Sequence, residues 1–263
     1  MRLRLVPLAV LALASAACVD PLEVPDGRFG TVNVRTVGNG VDSYALVPEA
    51  AFYGETNTTI GSFVGDTCVI ATYSATQQGS FAQSLNAGNE IILNVSGRTD
   101  SLRPLVGSSI RYYTLGANAV IPFIPGDTLR VTVPGATPGF PAATAQLRTA
   151  EPFTHDPIGV PEANQDITVT WTPAPAPGSQ MTVSLRYANL FSAGPLNEQA
   201  FCSFTDDGSG TIRADFLNGW RTALNEAREV RLNRLRTTEV LVDARTRLAV
   251  ISTFGRPLPS LQQ

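Results

Sequence analysis

Short runs of alternating apolar and polar residues, each cut off by glycine or proline, constrain this chain most. Thr31-Val32-Asn33-Val34-Arg35-Thr36-Val37 is such a run, and Gly38-Asn39-Gly40 ends it. Successive side chains of a strand point to opposite faces, so period two marks a strand with one buried face. Similar stretches recur at 44–47 (stopped by Pro48), 66–73, 90–95 (ended by Ser96-Gly97), 111–115, 128–133 and 142–147. In the second half, 166–171 and 181–187 read as a hairpin joined by the proline-rich loop 173–178. Further strands are expected at 200–204, 230–235, 239–243 and 248–254. Phe216, Leu217, Trp220, Ala223 and Leu224 instead share one face at helical spacing, with Asp215 near the start and Gly219 as a weak point in the middle. An apolar fraction of 43 % is enough for buried cores and too high for a disordered chain. The expectation is an all-β protein of two immunoglobulin-like β-sandwich domains in tandem, at 29–150 and 166–256. Residues 151–165 form the linker and 257–263 a tail, and the one short helix lies in the second domain.

The first residues do not fit this pattern. Arg2 and Arg4 precede the apolar run 5–14, and Ser15-Ala16-Ala17 leads to Cys18. That order marks an export signal, and the run is short for a membrane span. Cysteine directly after Ala-Ala resembles a bacterial lipoprotein signal, although Ser15 stands where that pattern usually has Leu. The resemblance implies a signal peptide at 1–17, lipidation of Cys18, and a tether at 18–28. The protein is then expected in the bacterial cell envelope, joined to the membrane by the lipid at Cys18. Val19, rather than Asp, after the anchor favours the outer membrane over the inner.

Two cysteines remain, Cys68 and Cys202. In an oxidising compartment an even pair is a candidate disulfide. Two separate thiols packed as small apolar residues are the alternative.

Ala51-Phe52, Pro125-Gly126-Asp127, Pro134-Gly135, Phe140-Pro141, Thr170-Trp171-Thr172-Pro173, and Cys202 with Asp206-Asp207-Gly208-Ser209 together carry a second likeness. The chain resembles uncharacterised bacterial exported lipoproteins with tandem immunoglobulin-like domains. This implies architecture and location, and no catalytic residue.

The residues for chemistry are few. His155 is the single histidine and there is no lysine, so multi-histidine metal sites and a Walker loop are excluded within the chain. The formal charge is −3, and loss of Arg2 and Arg4 with the leader makes the remainder more negative, so no nucleic-acid partner is indicated. Asp206 and Asp207, in a Gly-containing turn, are the candidate calcium ligands, against a plain turn with no metal. No other cofactor is indicated. Tyr112 and Tyr113 are adjacent in a strand and point to opposite faces, so one of them is a candidate ligand contact. Trp171 and Trp220 fit core faces. The arginines from Arg221 to Arg247 read as a solvated, salt-bridged face, or as a surface for anionic lipid or acidic polysaccharide. The expected function is a non-enzymatic envelope protein with a binding or structural role, its partner an envelope protein or polysaccharide. The alternative is a carbohydrate-binding or carbohydrate-cleaving surface protein.

Overall fold

The computed structural model describes residues 27–38, 43–54, 65–72, 84–105, 112–116, 119–188, 198–224 and 228–257. The leader, Cys18, most of the tether and residues 258–263 lie outside the described residues. The chain is mainly strand: β1 (Arg28–Gly38), β2 (Tyr44–Gly54), β3 (Thr67–Thr72), β4 (Ile91–Val95), β5 (Arg98–Pro104), β6 (Tyr112–Thr114), β7 (Ile121–Phe123), β8 (Thr128–Val133) and β9 (Ala143–Arg148) come first. β10 (Ile167–Thr170), β11 (Ser179–Tyr187), β12 (Glu198–Thr205), β13 (Ser209–Ile212), helix α1 (Ala214–Thr222), β14 (Arg228–Asp243) and β15 (Thr246–Pro257) follow.

Thirteen strands join in one mixed sheet, ordered β3-β12-β11-β14-β15-β1-β2-β6-β5-β4-β8-β9, with β7 paired to β2; β10 and β13 form a second, two-stranded sheet. The tandem arrangement is therefore not what forms. β1 lies parallel to β15, and β3 pairs antiparallel with β12, so strands from both halves of the sequence are interleaved. The large sheet curls until β9 packs against β14 and β15.

Two cores result. Val32, Val34, Phe52, Leu93, Leu102, Tyr113, Val131 and Phe140 belong to the first. Val169, Trp171, Met181, Val183, Leu185, Cys202, Leu217 and Trp220 belong to the second. The long hairpin β14–β15 serves both: Leu248 and Val250 enter the first core, while Val230, Leu232 and Phe254 enter the second.

Local chemistry explains several departures from the pattern. Pro48 does not end its strand. It faces Val34 of β1, and on the other flank it falls between the stretches paired with β7 and β6, where its missing N–H removes no ladder bond. Ser96 and Gly97 both have positive φ, 49° and 73°, the two-residue turn that fits the twist of a hairpin, and β5 returns beside β4. The expected β10–β11 hairpin is replaced: β10 pairs with β13, and β11 sits between β12 and β14 in the facing layer. The proline-rich loop thus crosses from layer to layer. Gly219 is a requirement rather than a weakness, because a Cβ there would lie 2.4 Å from the Tyr187 hydroxyl. Nor is 151–165 a free linker: Phe153 and Ile158 are buried in the second core, and Glu151 is buried with them.

Candidate functional site

The most polar part of the interior lies under the second core. Val230, Leu232, Arg234 and Arg236 share one face of β14 by period two, and all four are buried. Arg234 is fully buried and bonds with all five of its N–H groups. Its Nε and one terminal nitrogen donate to the two oxygens of Asp206, at 2.7 and 3.1 Å. The remaining bonds go to the carbonyls of Glu151, Pro152 and Thr172. Arg236 makes a two-pronged pair with Glu151 at 2.8 and 3.0 Å and donates to the carbonyls of Ala176 and Pro177. Two guanidinium groups thus hold 151–152 and 172–177 against the sheet. These arginines were expected on a solvated face, and they are instead structural pins unavailable to lipid or polysaccharide.

This placement removes the calcium expectation at Asp206 and Asp207. Asp206 also accepts from Trp171 Nε1 at 2.8 Å and Ser179 Oγ at 2.7 Å, so its oxygens are committed. Asp207 is exposed and accepts the backbone N–H of Ser209 in a local turn. No cluster of three or more metal-ligating side chains occurs among the described residues.

Cys68 and Cys202 form a disulfide across 134 residues of sequence, between directly opposed positions of β3 and β12. Tyr113 is buried in the first core against Phe52, and its hydroxyl donates to the Gly88 carbonyl and accepts the Ala87 N–H, each at 2.9 Å. It cannot contact a ligand. The backbone of Tyr112 pairs opposite Ala51. His155 is half-buried, with Nδ1 2.9 Å from the carbonyl oxygen of Asp156.

An open cleft of about 500 Å³ beside the β4–β5 hairpin retains polar groups that are uncommitted among the described residues. Ile91 and Leu102 pair on the core side, so the next pair, Ile92 and Ser101, faces outward into the cleft. Glu90, Thr99, Asp100 and Arg103 line it with them, and Leu115, Ala119 and Val120 form the remaining wall. Glu90, Asp100 and Arg103 have no ion pair among the described residues. The hollow at the start of α1 differs: there Asp166 accepts the Ala214 N–H and Arg213 pairs with Asp215. The β4–β5 cleft offers a cationic donor, carboxylate acceptors and an apolar strip, a set suited to a ligand with hydroxyls on one side and C–H groups on the other. Sequence reading missed it because β5 carries only one buried apolar residue, Leu102, and was not recognised as a strand.

One ionisable group in the second core is displaced. Burial, then a hydrogen bond to Glu198, raises the Tyr187 phenol from the ordinary 10.0 to about 12. At the β14–β15 turn the Asp243 carboxyl is held below its ordinary value, chiefly by the Arg245 backbone N–H.

The fold and site define an all-β protein with two cores, built from one large mixed sheet and a two-stranded one, and no helix among the described residues is long and apolar enough to cross a membrane. No protein-family model, curated protein or solved structure matches the chain.

Proposed function

We propose that this is a lipid-anchored, non-enzymatic protein of the bacterial cell envelope, the outer membrane rather than the inner, that acts by binding or as structural support. The observation that carries the reading is the use of its three cysteines. Cys68 and Cys202 are joined, as suits an oxidising compartment, which leaves Cys18 alone at the exit of the export signal. In this reading residues 18–28 are the tether between the lipid and the fold. Cys18→Ala should abolish labelling by a clickable fatty acid and shift the protein out of the membrane fraction. Unchanged labelling would sink the anchor.

The β4–β5 cleft favours a second reading, a carbohydrate-binding or carbohydrate-cleaving surface protein. Arg103 would donate to sugar hydroxyls, Glu90 and Asp100 would accept from them, and Ile92 and Val120 would meet the C–H face. Saturation-transfer NMR with envelope polysaccharide fragments should give signals that Arg103→Ala removes. Signals of equal strength in both proteins would place any sugar elsewhere.

A further inference from the structure

The large sheet has two terminal strands, and they are finished differently. β9 carries Arg148 and packs against β14 and β15. β3 pairs with β12 on one side and with nothing on the other among the described residues. Free edges are usually blunted by charge, proline or a bulge, because their unpaired N–H and C=O groups accept another strand. Thr67-Cys68-Val69-Ile70-Ala71-Thr72 has none of these, and its six residues are small, β-branched or uncharged. None of the six is buried, and Ile70 is 48 % exposed. Yet the strand is firmly placed. The disulfide fixes Cys68 to Cys202, and Asp66 accepts the Thr205 N–H at 2.8 Å. A fixed edge adds a strand with little ordering cost.

We propose that β3 joins two copies of this chain. The join is antiparallel and makes one continuous sheet about a two-fold axis. Opposed residues in an antiparallel pair share a face, so an axis normal to the sheet must pass midway between the two copies of a residue that meets itself. Centring it on Ile70 places Ile70 against Ile70 of the second copy, Cys68 against its Thr72, and Val69 against its Ala71. No like charges meet, which suits self-pairing better than recognition of a charged foreign strand. The register also fits the interior. Cys68 and Ile70 lie opposite Cys202 and Ala200 of β12, both fully buried. Ile70 is therefore on the core side of the sheet, with no strand beside it among the described residues, and its counterpart would cover it. This inference is independent of the lipid anchor.

The test uses a residue that faces itself. Two full-length chains with different tags are expressed together, extracted in mild detergent, and captured through one tag while the other is read. Wild type should co-capture. Ile70→Asp with itself, and Ile70→Lys with itself, should each lose at least about tenfold of that signal, because like charges then meet at the axis. Ile70→Asp expressed with Ile70→Lys should recover it. Thermal melting and an intact disulfide confirm that the variants fold, as an exposed position allows. The proposal is overturned if wild type does not co-capture, if the like-charged variants pair as well as wild type, or if the mixed variants fail to recover.

Discussion

The two cores are similar in size but are closed by different means. The first, from Val32 to Val250, is apolar throughout apart from the Tyr113 hydroxyl, which bonds to the backbone at residues 87 and 88. Strands close in sequence supply most of it. The second gathers parts from far along the chain: β3, the 150–158 segment, β10, β11, β12, α1 and the ends of β14 and β15. It contains the disulfide, the Arg234–Asp206 pair and the Arg236–Glu151 pair. Local strands register themselves through turn and period. Distant segments have no such guide, and here each is fixed by a directional bond: β3 by the disulfide, 151–152 by two arginines, and the 172–177 loop by the same two.

The contrast is sharpest if the staples are removed one at a time. In the chain-entropy description, a bridge across 134 residues stabilises the fold by about 4–5 kcal/mol. Cys68→Ala should lower the unfolding free energy in urea by that order, and hydrogen exchange should speed first in β3, β11 and β12. Equal loss of protection in β4 and β8 would mean that the two cores unfold as one unit, and the division would fail.

Next in size is the buried ion pair. Asp206→Ala would leave a guanidinium in the interior with its two carboxylate bonds lost, a cost of about 3–5 kcal/mol. Its Trp171 and Ser179 donors would be left unpaired as well. Replacing the charge too, as Asp206→Ala with Arg234→Met, should recover a large part of the loss, since an apolar pair of similar size is tolerated. If the double variant is no better than the single one, the carbonyl bonds of Arg234, rather than its pairing with Asp206, hold the loops.

This difference also governs what could be read in advance. The outlines of β1, β4 and β8 follow from alternation, because each has an apolar row facing one local core. β7 was not visible: three residues around Pro122 carry too little period to register. Periodicity also cannot name a partner, so the β10 pairing to β13 had to be found in space. Arg234 is the more instructive case. The period from Val230 and Leu232 puts Arg234 and Arg236 on the buried face, yet residue type suggested solvent. Position was the better guide, because a buried arginine needs only partners, and these lay about 30 residues away at Asp206 and more than 80 away at Glu151. The β4–β5 cleft was illegible for a related reason: its polar groups come from the outward positions of a hairpin, which obey no packing rule.

A last and smaller test separates the cores by pH. Tyr187 lies in the second core, its phenol raised to about 12 by burial and by the Glu198 hydrogen bond, against 10.0 for an ordinary tyrosine. The neutral phenol is thus the form the fold prefers. Its contribution is complete below pH 10, begins to fall as pH passes the unfolded value, and is lost as pH passes about 12. Stability in urea should therefore decline across that window, and Tyr187→Phe should flatten the part of the slope due to this group. Hydrogen exchange at high pH should quicken in α1 and β11 before β4 and β8, since Gly219 of α1 is seated on the Tyr187 ring. If the phenolate absorbance for this residue instead rises near pH 10, the hydroxyl reaches solvent. The seat of α1 on β11 would then be looser than the contact at Gly219 requires.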